Sequence, residues 1–294
     1  MKKGNACMKM KQRESLAGIA FASPFLVGFA LFFIIPFLIS IWYTFTFGTG
    51  GTAFVGLANY ASVLQSQAFQ LAAWNTFRFI VIGVPLIMMI SILFSLLLQH
   101  AFAGSSFFRS LFLYPMVLPI ASTVMIFQIV FAESGLLNSL LSACGIPIQN
   151  WLNSDYAFSV LVFLYVWKNC GYNMVLLLAG LNAIPQDLYE SAALEGATGW
   201  RAFRYVTLPL IRPTLFFVFV ISIINSFKSF REAFLLNGTM PHPSIYMLQH
   251  FMNNNFSNLN YQRLSVAALL VFLVIFFCVF LLFRRSKKAG DIQL

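Results

Sequence analysis

Apolar positions along this chain gather into six long runs, and the charged residues fall between them. From Ser15 to Phe77 there is no Asp, Glu, Lys or Arg. The most apolar part of that stretch, Ile19 to Phe45, is long enough to cross a bilayer core of about 30 Å as a helix. Further spans are expected near Thr76–Leu98, Ser110–Phe131, Ala157–Leu181 and Arg212–Leu236. The last, Leu264–Phe283, is free of charge and is bounded by Arg263 and Arg284. Pro115 and Pro119 fall in the third run, and prolines are tolerated in a membrane helix when neighbouring groups satisfy the freed carbonyls. The first run is much longer than the 7–15 apolar residues of a signal-peptide core, so a retained helix is expected.

Composition removes the soluble alternatives. The 294 residues are 60% hydrophobic and only 9% charged, where a soluble domain carries about 25% charged residues. The net charge of +10 does not point to nucleic acid, because the cations sit at the ends of the chain. Lys2, Lys3, Lys9, Lys11 and Arg13 precede the first run, and Arg284, Arg285, Lys287 and Lys288 follow the last. Basic flanks of this kind mark the cytoplasmic side. Six spans then place both termini in the cytoplasm, with the Leu98–Arg109 and Asn182–Arg212 loops. Cys7, Cys144, Cys170 and Cys278 have no metal or redox spacing and read as small hydrophobes. Gly48 to Thr52 lacks the Lys-Ser/Thr of a phosphate-binding loop, so ATP is not expected on this chain.

One polar segment stands out. Ile184 to Thr214 reads IPQDLYESAALEGATGWRAFRYVTLPLIRPT. Pro185 suits a helix start, and Asp187 and Glu190 suit the positive end of that helix. Ser191, Ala192 and Ala193 leave little side-chain bulk, so another protein can approach closely. Gly196 can close the helix in a left-handed cap. A second short helix is expected with Trp200 and Phe203 on one face and Arg201 and Arg204 on another. Leu208-Pro209 and Pro213 are expected to turn the chain into the fifth span. On physical grounds alone, an interfacial amphipathic loop and a docking element for a soluble partner remain open.

This segment resembles the EAA loop of the membrane subunits of ABC importers, particularly sugar permeases of the maltose and glycerol-3-phosphate type. That loop reads approximately E-A-A-x-x-D-G-A-x-x-W-x-x-F-x-x-I-x-L-P. Glu190, Ala192, Gly196, Ala197, Trp200, Phe203, Leu208 and Pro209 match it in one ungapped register. Ser191, Glu195 and Val206 are mild departures. Gly56-Leu57-Ala58-Asn59-Tyr60, Phe107-Phe108-Arg109-Ser110-Leu111, Gly135-Leu136-Leu137-Asn138 and Leu178-Ala179-Gly180-Leu181 also have counterparts in the family.

The resemblance implies an all-α integral membrane fold of six helices with the architecture of a type I ABC importer permease. It implies a basic cytoplasmic N-terminus over 1–14, a first helix and external segment over 15–74, and a five-helix transmembrane domain over 75–284. That domain carries a coupling loop at 184–210, and a cytoplasmic tail follows over 285–294. The family's coupling loop sits in a cleft of an ATPase subunit, which assigns Glu190, Ser191, Ala192, Ala193, Glu195, Gly196 and Ala197 to that contact. Implied partners are a second permease, two ATPase subunits, an external solute-binding protein and membrane lipid. This chain is then not an enzyme and binds no cofactor, ATP and magnesium belonging to the ATPase. The competing class, a secondary transporter or channel without an ATPase, would more naturally show internal repeats and a coupling-ion site.

Charges inside spans mark candidate solute contacts, because burial in lipid makes them costly. Lys168 is near the middle of the fourth span, with Asn169, Tyr172 and Asn173 close by. Either they line a path for a hydroxyl-rich solute, or Lys168 pairs with a neighbouring subunit while the asparagines join helices. The fifth span adds Phe227, Lys228, Arg231 and Glu232, with Lys228 and Glu232 spaced to pair along one helix face. Only fifteen uncharged residues separate Arg212 from Lys228, so the helix is expected to continue past Lys228 and place this cluster in the outer half.

Overall fold

The computed structural model describes residues 18–48, 50–99 and 104–288. The basic residues 2–13 and the tail beyond 288 lie outside the described residues, as do the side chains of Arg285, Lys287 and Lys288. The first span is α1 (Gly18–Phe45). A two-stranded antiparallel hairpin follows, with β1 (Thr46–Phe47) paired to β2 (Ala53–Phe54). Then come α2 (Ala58–Leu64), α3 (Gln67–Gln99), α4 (Ser105–Val117), α5 (Ile120–Phe131) and α6 (Leu136–Ala143). The long α7 (Tyr156–Asn182) and the short α8 (Gln186–Leu194) lead to a π turn at Phe203–Thr207. The chain ends with α9 (Leu208–Lys228), α10 (Phe230–Asn237), α11 (Leu248–Ser257) and α12 (Tyr261–Lys288).

Six stretches are long and apolar enough to cross a membrane. Three differ clearly from the expected bounds, and the second span begins at Gln67 rather than near Thr76. The third does not form one helix over Ser110–Phe131. Leu118 and Pro119 are extended, at ψ 139° and 137°, and separate α4 from α5. A proline pushes the residue before it out of helical geometry, and Pro119 brings no N–H to the ladder. The apolar stretch long enough to cross is therefore Ile120–Ala143. The fifth runs from Trp200 to Asn237. Leu208-Pro209 makes no turn into it, because the helical path continues through the π turn.

That π turn has a local cause. It occupies the positions six to two residues before Pro209, and a second π turn, Ala30–Ile34, stands at the same offset from Pro36. A proline ring clashes with the carbonyl four residues earlier. Widening the preceding turn moves that carbonyl aside. The Leu208 N–H reaches back to the Phe203 carbonyl, and the Ile35 N–H to that of Ala30.

α7 is the central post. It packs along α3, α4 and α9, and its Leu161, Leu164 and Tyr165 are fully buried. Gly171 and Gly180 set two of these approaches. A Cβ at Gly171 would lie 1.8 Å from the Phe112 carbonyl oxygen on α4, and one at Gly180 would lie 2.6 Å from Thr214 Oγ1 on α9. Gly171 thus permits close contact between α7 and α4. By contrast α1 touches mainly α12, and its Phe21, Phe25, Phe32 and Phe33 are exposed. Apolar exposure on a spanning helix fits lipid or another membrane subunit.

Three of the short sequence motifs close the ends of elements. The Asn59 amide donates to the carbonyls of Thr44 (3.1 Å) and Thr46 (2.8 Å) at the end of α1. The Tyr60 hydroxyl reaches Thr44 Oγ1 at 2.9 Å. Arg109 donates to the Leu98 carbonyl at the end of α3. Asn138 donates to the Ala132, Glu133 and Gln149 carbonyls, while its Oδ1 accepts from Gln149 N–H and Trp151 Nε1. These groups satisfy backbone atoms that helices leave open at their ends.

Candidate coupling loop and polar seam

α8 is an exposed, small-faced helix. Pro185 stands at its N-cap, and Asp187 lies in its first turn. Glu190, Ser191, Ala193, Glu195 and Gly196 are exposed, and Ala192 and Ala197 are half-buried. Its end is a full Schellman motif. The Gly196 N–H bonds the Ala193 carbonyl at 3.0 Å, and the Ala197 N–H bonds the Ala192 carbonyl at 2.8 Å. Gly196 has φ +80°, a conformation open to glycine at little cost. A Cβ there would meet nothing within this chain, so the position is open to an incoming surface. Trp200 and Phe203 stack at 5.2 Å. They face Met89, Ile92, Leu93 and Leu96 of α3 across a 510 Å³ recess. Arg201 and Arg204 are exposed.

The fourth-span candidates separate. Lys168 is buried and bonds Glu232 Oε1 at 2.5 Å, joining α7 to α10. Glu232 therefore does not pair with Lys228. A single-residue turn at Ser229 separates α9 from α10, and Lys228 is exposed while Glu232 is buried. Glu232 Oε2 has no hydrogen-bond partner among the described residues. Asn173 is fully buried and donates to Ser222 Oγ at 2.8 Å, while Tyr165 donates to the Ser222 carbonyl at 2.8 Å. This seam joins α7 to α9, as polar groups do between membrane helices. The Asn169 amide folds back to the Tyr165 carbonyl at 2.9 Å. Tyr172 and Phe227 are half-buried, and Arg231 is exposed.

Sequence reasoning passed over Arg78. It lies 3.9 Å over the ring of Phe158, a favourable cation–π position. It also lines an 890 Å³ groove between α3, α4 and α7. Below it, Ile82, Leu86, Ile90 and Phe94 continue the lining at four-residue steps along α3. These positions all fall inside the span expected near Thr76–Leu98, so their recurrence was readable in the sequence; the groove beside them depends on how α4 and α7 pack against α3. Lys168, Asn169, Tyr172 and Asn173 do not line this groove.

The segment between the fifth and sixth spans holds one perturbed histidine. His250 is buried in α11, against Phe230 and Tyr246, and its Nδ1 accepts the Met247 N–H. Burial lowers its pKa to about 4. An unfolded histidine binds its proton near pH 6.5, so neutral His250 contributes stability that is full above that pH. That contribution falls as the pH drops towards 4. Between pH 7 and pH 5 the loss is expected to be about 2 kcal/mol. Melting curves of detergent-purified protein at the two values should show it, and His250→Asn should show a smaller drop.

The profile of the family described as "Binding-protein-dependent transport system inner membrane component" matches residues 88–289. The chain belongs to this family. It is a multi-pass inner-membrane permease. It is 33% identical over 243 residues to the trehalose/maltose transport system permease protein MalF of Thermococcus litoralis, covering 81% of this chain and 82% of that one. It is 32% identical to the arabinooligosaccharides transport system permease protein AraP of Bacillus subtilis, over 76% and 72% of the two chains. With the sn-glycerol-3-phosphate transport system permease protein UgpA of Escherichia coli the identity is 31%, over 70% and 71%. Among solved structures, a bacterial ABC transporter that imports the acidic polysaccharide alginate superposes on 96% of this permease and 99% of its own chain. The TM-score is 0.85 at 21% identity, a likeness of fold. Another structure of an alginate ABC transporter contains a periplasmic protein bound to an alginate pentasaccharide.

Proposed function

We propose that this permease is one membrane subunit of an ATP-driven importer for a sugar or related polyol, working by alternating access. The exposed, glycine-closed α8 carries this reading, because a smooth helix projecting from the bundle is what an ATPase cleft requires. Glu190 to Ala197 form the docking surface. Two ATPase subunits, binding ATP and magnesium, hydrolyse the nucleotide. An external binding protein delivers solute. The named relatives that transport maltose, arabino-oligosaccharides and glycerol phosphate support the solute class.

A second, similar permease completes the solute path. The large groove in this chain is mostly apolar, and Lys168 and Asn173 are turned into the bundle. Lys228 and Arg231 stay exposed and are available to line a path shared between two subunits. The test is a mild-detergent pull-down of tagged permease from its native membrane, read by mass spectrometry. A second permease and an ATPase should accompany it. A partner-free chain that moves solute without ATP would overturn the reading.

A further inference from the structure

We propose that Tyr189 and Thr207 form the joint through which movement of the docked α8 reaches the fifth span. The inference rests on the docking role proposed for α8. The Tyr189 hydroxyl and Thr207 Oγ1 lie 3.0 Å apart. Among the described residues this is the side-chain hydrogen bond that links α8 to the fifth span. Tyr189 is half-buried, while its neighbours Leu188 and Glu190 are exposed. Thr207 is buried. One end of the joint thus lies beneath the docking surface and the other lies inside the bundle.

Thr207 is also the last residue of the π turn. A π turn makes hydrogen bonds over five residues and commonly marks functional positions in a helix. Beneath it is a void of about 20 Å³ bordered by Phe203, Thr207, Leu208, Ile92 and Leu96. That is roughly the space one water molecule occupies. The turn therefore has both a loose ladder and room to tighten. A pull on Tyr189 acts where the helix yields most easily. α9 and α10 lie beyond it on the same helical path and carry Ser222, Lys228, Arg231 and Glu232. Tyr189 and Thr207 are positioning residues here; neither touches solute or nucleotide.

The test uses the assembled importer in lipid nanodiscs, with and without trapping by ATP and orthovanadate. Nitroxides go on Tyr156→Cys and Leu235→Cys, both exposed positions, with native cysteines replaced by alanine. Their separation reports α7 against α10 on the side away from α8. Trapping should shift that distance in the otherwise native chain. Tyr189→Phe and Thr207→Val should keep the ATPase bound and hydrolysing while losing more than half of the shift. Thr207→Ser keeps the hydroxyl and should behave as native. A native-sized shift in Tyr189→Phe and Thr207→Val would overturn the proposal. Should Thr207→Val fail to assemble, Tyr189→Phe decides, since it removes a single oxygen. If no ATPase stays with the unsubstituted permease, the docking role of α8 fails, and the proposed joint fails with it.

Discussion

Gly196→Trp should leave a folded, membrane-inserted permease that no longer retains its ATPase. Two observations separate these effects. Gly196 has φ +80°, and a side chain in the left-handed region costs about 1–2 kcal/mol. That strain is confined to the end of an exposed helix. A Cβ at this position meets no other group of the chain within 4 Å, so a side chain starts from open space there. If α8 docks as proposed, bulk at the Schellman turn obstructs the ATPase cleft. Gly196→Ala carries the same backbone strain without the bulk and should weaken retention less. Co-purified ATPase, quantified against permease, is expected to fall at least tenfold for tryptophan, a change of about 1.4 kcal/mol or more in binding. An unchanged melting curve would show that the fold survived. Full retention by Gly196→Trp would place the docking surface elsewhere.

Lys168→Met should be among the most destabilising single changes in this permease. It leaves Glu232 buried without its cation, and breaking one side of a buried pair costs about 3–5 kcal/mol. Glu232→Leu should cost a similar amount by stranding Lys168. The double change Lys168→Met with Glu232→Leu removes both charges and should recover most of the loss, since apolar replacement of a buried pair is often neutral or stabilising. The charge exchange Lys168→Glu with Glu232→Lys should recover less. The two residues stand on different helices, and the longer lysine stem has to fit the site Glu232 now fills. Thermal melting of all four variants in detergent gives the comparison. Additive losses in the double variant would mean that the two groups do not depend on each other. A solute path lined directly by Lys168 predicts a different pattern, in which stability is kept and transport is lost.

The spans were legible because lipid imposes one strong rule, a continuous apolar run without charge, and Leu264–Phe283 obeys it plainly. The cap at Gly196 was legible because few residues besides glycine adopt its backbone angles. The break at Pro119 was harder to read. Whether a membrane proline bends a helix or ends it depends on what its neighbours offer the freed carbonyls. The partner of Glu232 was harder still. Lys228 lies four residues away in sequence, and Lys168 lies 64 away. Only the packing of α7 against α10 decides between them. Asn173 shows the same limit. A polar residue on a spanning helix signals that something receives it, but the sequence does not say whether the receiver is solute or Ser222.

The ion pair between Lys168 and Glu232 also bears on how the chain is made. Synthesis runs from the N-terminus, so the fourth span emerges while its counter-ion is still unwritten. Lys168 is the thirteenth of 27 residues in its helix, and a lysine at the centre of an isolated span costs about 2.5–3.5 kcal/mol to insert. The segment that neutralises it is made 64 residues later. Until then the fourth helix is a reluctant guest of the bilayer, best kept at the insertion machinery or against the earlier helices. Pairing with Glu232 offsets that cost once the fifth span arrives. The same two side chains that brace the finished bundle therefore set an order of events during its birth.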